Sequence, residues 1–361
     1  MTSIFEPIQI GSMTLANRVI MAPLTRGRAD AGGVPNAMMA EYYTQRAAAG
    51  LIISEATAIS PQGYGWRGAP GIWNDAQMEG WKQVTASVHA AGGRMFLQLW
   101  HMGRISHPDF QDGALPVAPS AIAAVGQSHT PLGKKDFETP RALTLEEIRA
   151  LPQTYAQAAK RAIAAGFDGV EIHAANGYLL DEFMRDGSNR RTDEYGGSIE
   201  NRTRLLAEVA AAVCDAVGPE KVGVRFSPNS PHNSMHDSNP IATFSRAAAR
   251  LDALGIAYLH VVEGLPGHRM HAEGERVTPH LRKAFTRTLI ANGGYDAPLA
   301  NAALAAGEAD AVSFGITFLA NPDLVSRLRH GYTLNAPDAE HLYTPGPVGY
   351  VDYPLHHAAA A

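Results

Sequence analysis

Three side chains that can each donate a hydrogen bond follow one short apolar run of the sequence. His173 and Asn176 lie three positions apart, and Tyr178 adds a phenolic hydroxyl two residues later. The run from Gly169 to His173 is typical of a buried strand, and α/β enzymes place their chemistry at the carboxyl ends of such strands. These residues could bind one ligand oxygen and supply a proton. The structural alternative is that His173 and Asn176 cap a helix while Tyr178 packs as a half-buried aromatic.

Eight apolar runs of this kind recur along the chain, and Ala- and Leu-rich segments with charges at helical spacing lie between most of them. Alternating strands and helices indicate a parallel sheet, and eight such units predict closure into a (β/α)8 TIM barrel. An open doubly wound sheet is the competing fold, but no Gly-x-Gly-x-x-Gly turn follows the first run. The predicted strands are Arg18 to Leu24, Leu51 to Thr57, Arg94 to His101, Gly169 to His173, Val222 to Ser227, Tyr258 to Glu263, Thr288 to Gly293 and Ala311 to Gly315.

Composition narrows the possible partners and compartment. The 361 residues carry a net charge of −5 with no basic excess, so a nucleic-acid partner is not expected. Cys214 is the one cysteine, which excludes disulfides and iron–sulfur clusters within one chain. No secretion signal or bilayer-spanning run is found, and we expect a cytoplasmic protein. Residues 1–355 are predicted to form a single barrel domain, and 356–361 a disordered tail or cloning remnant.

The longest gap between predicted strands runs from His101 to Phe167 and is rich in Pro, Gly, Ser and Ala around residues 108–140. It predicts an excursion over the barrel mouth, with a small hairpin, after strand three. Long loops also follow strands five and six, on the side of a barrel where loops shape substrate access.

The carboxyl ends of all eight strands meet at one mouth, so residues distant in sequence become neighbours. Glycines end strands seven and eight and suit a phosphate, although glycines also make ordinary tight turns. Arg225 ends strand five with a permanent cation, which could stabilise an anion in the mouth or form an ion pair with a neighbouring carboxylate. Thr25 and Gln98 can bond a heterocycle edge, and Trp100 offers an apolar wall; each is often only structural. Together they suit a bound flavin mononucleotide (FMN) better than a sugar or a metal.

Four motifs spread along the chain carry a more specific signal. They are NR…MAPLTR at 17–26, QLWHxGR at 98–104, HAANGYLL at 173–180 and NxRTDEYGGSxENR at 189–202. With these motifs nearly the whole chain resembles the Old Yellow Enzyme family of FMN-dependent ene-reductases. The resemblance implies reduction of activated C=C bonds in α,β-unsaturated carbonyl, imide or nitro compounds, with NADPH or NADH as hydride donor. It also implies that the protein is a monomer or a homodimer.

The resemblance also implies roles for individual residues. His173 and Asn176 bind the substrate oxygen, Tyr178 donates the proton, and the hydride comes from N5 of FMN. Thr25 bonds the flavin near its C4=O, Ala56 and Gln98 line the ring, and Arg225 stabilises the reduced flavin near N1 and O2. The remaining predicted contacts are Pro23, Leu24, Gly293, Gly294, Gly315 and Ile316 for the cofactor, and Tyr64, Trp100 and Tyr343 for the substrate pocket.

The sequence departs from the family pattern after strand eight. The family has an arginine on the FMN phosphate directly after the strand-eight glycine, whereas Ile316 follows Gly315 here. A hydrogen bond to a charged group contributes about 1.5–3 kcal/mol, so we expect FMN to bind about 10- to 150-fold more weakly than in relatives. Two other functions stay open: a non-catalytic small-molecule-binding barrel, and a metal-dependent barrel hydrolase, although His173 lacks a carboxylate at ligand spacing.

Overall fold

The computed structural model describes residues 2–356, and eight of its strands form a closed parallel barrel. Each strand pairs with the next along the chain, and the last pairs with the first. The predicted (β/α)8 barrel is confirmed, with strand ends within a few residues of those expected. The barrel strands are β1 (Val19–Met21), β2 (Leu51–Ile53), β3 (Met95–Trp100), β4 (Gly169–His173), β5 (Val222–Phe226), β6 (Tyr258–Val262), β7 (Thr288–Asn292) and β8 (Ala311–Phe314).

Helices cover the outside of the barrel and bury their apolar faces against it. Thr144 caps the helix that begins at Leu145, because its side chain accepts from the Glu147 N–H and the Glu147 side chain accepts from the Thr144 N–H. Within residues 2–356 no helix could cross a membrane. The helices are Ala37–Thr44, Asp75–Ala90, Leu145–Ala164, Leu179–Met184, Ile199–Arg202, Arg204–Val217, Pro240–Leu254, Thr278–Ala284, Ala297–Ala305, Ile316–Ala320 and Leu324–His330.

The second predicted strand, Leu51 to Thr57, is interrupted. β2 ends at Ile53, and a separate segment, Thr57–Ala58, pairs with the far end of β3. At the break the Ser54 hydroxyl accepts from the Gln98 N–H at 3.0 Å, so a side chain takes the place of a ladder carbonyl. The interruption leaves Ala56 at the barrel mouth.

Alternation along the strands divides the barrel interior into layers. Phe96, Tyr258 and Ile290 belong to an apolar cluster near the amino ends of the strands. The next inward positions, two residues further along each strand, are Gln98, His260 and Asn292. The interior therefore changes from apolar to polar toward the mouth. A hairpin that the sequence did not predict, Ile8–Ile10 with Met13–Leu15, adds its apolar side chains to the lower cluster.

The excursion after β3 contains the predicted hairpin, formed by Gln127–Thr130 and Gly133–Asp136. Gln127, Ser128 and His129 of this hairpin line a cavity at the mouth. A short parallel pair, Val117–Ala118 with Arg141–Ala142, fastens the base of the excursion. The segment after strand three thus forms one wall of the mouth.

The C-terminal segment is fastened to the loop that follows β1. The Arg26 guanidinium donates to the Gly349 carbonyl at 2.6 Å, and the Tyr42 ring stacks on Tyr350 with centroids 4.1 Å apart. This contact brings Tyr343 to the mouth. Of the predicted tail, His356 stacks on Tyr332 at 3.8 Å, and 357–361 lie outside the described residues.

Tight packing in the apolar cluster near the amino ends of the strands leaves no room for a side chain at Gly223. A Cβ atom there would lie 2.1 Å from Cζ of Tyr258, its register partner on β6. We expect Gly223→Ala to lower the free energy of unfolding by about 1–3 kcal/mol through overpacking, as measured by urea unfolding. The matched control is Tyr258→Ala, in which the ring is gone and adding Gly223→Ala should cost much less. Equal costs in both backgrounds would refute this contact as the cause.

Candidate active site

Two adjoining cavities of about 290 and 280 Å³ open at the carboxyl ends of the barrel strands. We name them the His173 cavity and the Gly293 cavity after one lining residue of each. Both are lined by Pro23, Leu24, Asn176, Arg225 and Arg269. The predicted residues Thr25, Ala56, Gln98, Trp100, His173, Tyr178 and Tyr343 line the His173 cavity, whereas Gly293, Gly294, Gly315 and Ile316 line the Gly293 cavity.

His173 ends β4 and is 4% exposed. Its Nδ1 atom is buried and has no hydrogen-bond partner among the described residues. Burial lowers the pKa of His173 well below its ordinary value, and the charge of Arg225 lowers it further. The imidazole is therefore neutral at neutral pH and can donate one hydrogen bond.

Asn176 adopts a left-handed backbone conformation, with φ of +59°. Its N–H donates to the Ser227 hydroxyl at 2.7 Å, and its carbonyl accepts from Asn233 Nδ2 at 2.8 Å. Asparagine tolerates this conformation better than most residues. Its buried Oδ1 atom has no partner in the part of the chain that the structure describes. The backbone is thus fixed on both sides while the side chain stays available.

Tyr178 stands between two other aromatic rings. Its ring lies edge-on to Trp100 at 5.1 Å and to His173 at 5.0 Å between centroids. Burial raises the pKa of the Tyr178 hydroxyl, which therefore keeps its proton over the physiological range. The following helix begins at Leu179 without a side-chain cap, so the alternative in which His173 and Asn176 cap it is wrong.

A buried carboxylate that the sequence reading missed lies beneath these residues. Glu171 is 0% exposed, and it accepts from Gln98 Nε2 and His260 Nδ1, each at 2.8 Å. His260 Nε2 in turn lies 2.8 Å from the Ser313 hydroxyl. Glu171 stands two residues before His173 on one strand, so the period of two could have placed it inside the barrel.

The network fixes the charges at the floor of the cavity. Burial alone would raise the pKa of Glu171, but His260, Arg225 and Gln98 together hold it below its ordinary value. Burial and Arg225 lower the pKa of His260. Glu171 is therefore ionised and His260 neutral. Because a carboxylate only accepts, the Gln98 amide must turn its N–H toward Glu171, and its oxygen is left for a ligand.

Arg225 reaches the junction of the two cavities. Its Nη2 donates to Asn292 Oδ1 at 3.1 Å, while its buried Nε has no partner within residues 2–356. Burial lowers its pKa to about 10, although the nearby Glu171 opposes the shift. The guanidinium is thus charged at neutral pH and incompletely hydrogen-bonded.

Two glycines directly after β7 line the Gly293 cavity. Gly293 has φ of +125°, and a Cβ atom there would lie 2.5 Å from the Glu263 carbonyl oxygen. Gly294 has φ of +95°, and a Cβ there would lie 3.2 Å from Cβ of His268. Larger residues would strain the backbone at both positions. Ile316, which is 37% exposed, adds an apolar side chain to the same cavity.

Tyr64 is one predicted pocket residue that the structure does not bring to either cavity. Its ring packs edge-on against Trp73 and Phe110, with centroids 6.1 and 5.8 Å away. Contacts that the sequence reading missed come mainly from loops, namely Trp66, Met102, Ile105, Phe137, His232 and Arg269. Within residues 2–356 no group of three His, Cys, Asp or Glu side chains could hold a metal ion.

Comparison with known proteins identifies relatives over nearly the whole chain. The profile of the NADH:flavin oxidoreductase / NADH oxidase family matches residues 3–335. The chain is 44% identical to 12-oxophytodienoate reductase 7 of Oryza sativa subsp. japonica, over 98% of this chain and 94% of that protein. It is 43% identical to a "Probable flavin mononucleotide-dependent alkene reductase" of Leishmania infantum, over 97% and 96%. The solved old yellow enzyme homologue from Zymomonas mobilis superposes with a TM-score of 0.96 at 50% identity, covering 98% and 100%.

His101, just after β3, supports the segment that carries Tyr178. Its carbonyl accepts from the Leu179 N–H at 3.1 Å, and its Nδ1 accepts from the Gly103 N–H at 3.1 Å. Burial lowers the pKa of His101 from 6.5 to about 3. Below pH 6.5 His101 therefore becomes protonated in the unfolded chain but stays neutral in the folded protein. The free energy of unfolding falls as the pH falls toward 3.

We expect His101→Asn, which keeps an acceptor for the Gly103 N–H, to remove this contribution. Between pH 6 and 4 the unfolding free energy of the variant should fall less steeply than that of the wild type, by about 1.4 kcal/mol per pH unit. Urea unfolding at several pH values measures both slopes. Parallel slopes would show that His101 is not held neutral in the folded protein.

Proposed function

Because the chain belongs to the NADH:flavin oxidoreductase / NADH oxidase family, we propose that His173, Asn176 and Tyr178 are the residues with which it reduces activated alkenes. The protein is an FMN-dependent oxidoreductase of the Old Yellow Enzyme type that uses NADPH or NADH. It reduces C=C bonds of small molecules. The observation that carries the proposal is the meeting of these three side chains with Gln98 and Arg225 in one cavity.

The residues of the two cavities fit FMN. Arg225 Nε, Asn176 Oδ1 and His173 Nδ1 are buried polar atoms without partners among the described residues, which is costly unless a ligand bonds such groups. The Gly293 cavity provides open backbone for a phosphate. When bound, FMN supplies the hydride that it receives from NAD(P)H. We assign its binding to Pro23, Leu24, Thr25, Ala56, Gln98, Arg225, Gly293, Gly294, Gly315 and the backbone of Ile316.

His173 and Asn176 act on the oxygen of the substrate. Negative charge develops on a carbonyl or nitro oxygen as the β-carbon is reduced, and two fixed donors stabilise that charge as an oxyanion hole does. Each such donor commonly contributes about 3 kcal/mol in the transition state. The neutral state of His173 suits this role, because a neutral imidazole donates a hydrogen bond to the oxygen and does not transfer its proton to it.

Tyr178 supplies the proton to the α-carbon. Its raised pKa keeps the hydroxyl protonated until a strongly basic carbon develops beside it. Trp100 and His173 hold the ring from two sides, which reduces the number of orientations that the hydroxyl can sample.

We also propose a domain extent, a substrate class, a location and an oligomeric state. Residues 1–355 act as one FMN-binding barrel, with α,β-unsaturated carbonyl, imide or nitro compounds as substrates. The protein works in the cytoplasm, where the free thiol of Cys214 stays reduced. It is a monomer or a homodimer. Light scattering of the purified protein and cell fractionation test the oligomeric state and the location.

Separate half-reactions test the function. We expect the purified protein to bind FMN, to be bleached by NADPH without oxygen, and to recover its colour when 2-cyclohexenone is added. A protein that binds FMN but is not bleached would be a binding barrel. A protein that is bleached but not reoxidised by alkenes would use a different electron acceptor.

Tyr178→Phe separates proton donation from the other steps. The variant should slow reoxidation by 2-cyclohexenone by about 10²- to 10⁴-fold, the usual contribution of a general acid, and leave reduction by NADPH nearly unchanged. Tyr155→Phe is the matched control, because Tyr155 is also buried but lines neither cavity, and it should leave both half-reactions unchanged. Equal losses in both half-reactions of Tyr178→Phe would argue against Tyr178 as the proton donor.

A further inference from the structure

The Gly293 cavity is lined by two permanent cations and by no carboxylate. The cations are Arg225, which donates to Asn292, and Arg269; both also line the His173 cavity. Neither Ile316 nor Thr317 at the end of β8 adds a charge. If this cavity receives the flavin phosphate, as the proposed function requires, Arg269 is the cation that no other side chain has engaged.

The loop that carries Arg269 is folded onto the end of β7. The Leu265 N–H donates to the Gly293 carbonyl at 2.8 Å, so the loop is tied to the glycine turn itself. Within the loop, the His268 N–H donates to the Leu265 carbonyl at 2.9 Å, and His271 Nδ1 lies 2.9 Å from the Gly264 carbonyl. These bonds hold residues 264–271 over the cavity.

The charge of Arg269 affects the pKa values of two neighbouring histidines, His268 and His232. Burial lowers the pKa of His268, and the charge of Arg269 lowers it further. The same two causes, in the same order, lower the pKa of His232 on the wall of the His173 cavity. Nearby Arg276 pairs with Glu308 at 3.1 Å, whereas Arg269 has no ion-pair partner in the described part of the chain.

We propose that Arg269 binds the phosphate of FMN and replaces the cation that Ile316 does not provide. A guanidinium presents paired N–H groups that match two phosphate oxygens, and an unpaired one beside open glycine backbone suits an anion. The other phosphate-bearing ligand of this site is the dinucleotide reductant. Arg269 is placed for FMN because Arg269 and His268 lie together along the cavity of Gly293 and Gly294.

Arg269→Gln should weaken FMN but not riboflavin, which has the same ring and no phosphate. Fluorescence titration of the apoprotein should give an FMN dissociation constant about 10- to 100-fold higher, and a riboflavin constant within twofold of the wild type. Arg287→Gln is the matched control, because Arg287 is exposed at the opposite end of the barrel, before β7. This control should leave both constants unchanged.

Ile316→Arg supplies a second readout. In the Arg269→Gln background it should recover most of the lost FMN affinity, because position 316 lines the same cavity. An Arg269→Gln variant with an unchanged ratio of FMN to riboflavin affinity would overturn the proposal. If the ratio stays fixed while the dissociation constant for NADPH rises, Arg269 serves the dinucleotide instead. Wild-type protein that binds neither flavin would overturn the proposed function, whereas equal binding of both overturns only the role of Arg269.

Discussion

A charged carboxylate buried inside the barrel is the constraint on which the rest of the site depends. Removing Glu171 from water costs several kcal/mol unless its oxygens are bonded and its charge is balanced. Gln98 and His260 provide the bonds, and Arg225 provides the opposite charge nearby. Since the carboxylate only accepts, both partners must turn an N–H toward it. One buried charge therefore fixes an amide, an imidazole and a guanidinium at the floor of the mouth.

These fixed orientations determine what the cavity offers to a ligand. The Gln98 oxygen faces away from Glu171 and is an acceptor, while Arg225 is a donor with an unpaired Nε. The Arg225 charge also lowers the pKa of His173, after burial, so that residue stays neutral beside a cation. The floor of the mouth thus provides the Gln98 oxygen as an acceptor, Arg225 as a cation and His173 as a neutral donor, each held in place. This is what a flavin and an electron-poor alkene need from one mouth.

Strand periodicity made the barrel and much of its mouth predictable from the sequence, because strand ends converge wherever eight βα units close. The break after Ile53 was not predictable, since there the Ser54 hydroxyl replaces a backbone carbonyl as the partner of Gln98. Tyr64 lines neither cavity because its ring packs edge-on against Trp73, a loop contact that the sequence pattern does not predict. The position of Arg269 at the cavity depends on how residues 264–271 fold onto the end of β7. No local sequence pattern predicts that fold.

The FMN dissociation constant of Glu171→Gln tests this account most directly. The substitution keeps the size of the side chain but must present an N–H₂ group to Gln98 or to His260, so one partner has to turn away. The account predicts a folded variant, checked by circular dichroism, whose FMN dissociation constant rises about tenfold or more through loss of a fixed hydrogen bond and of the balance at Arg225. An unchanged constant in a folded variant would contradict it.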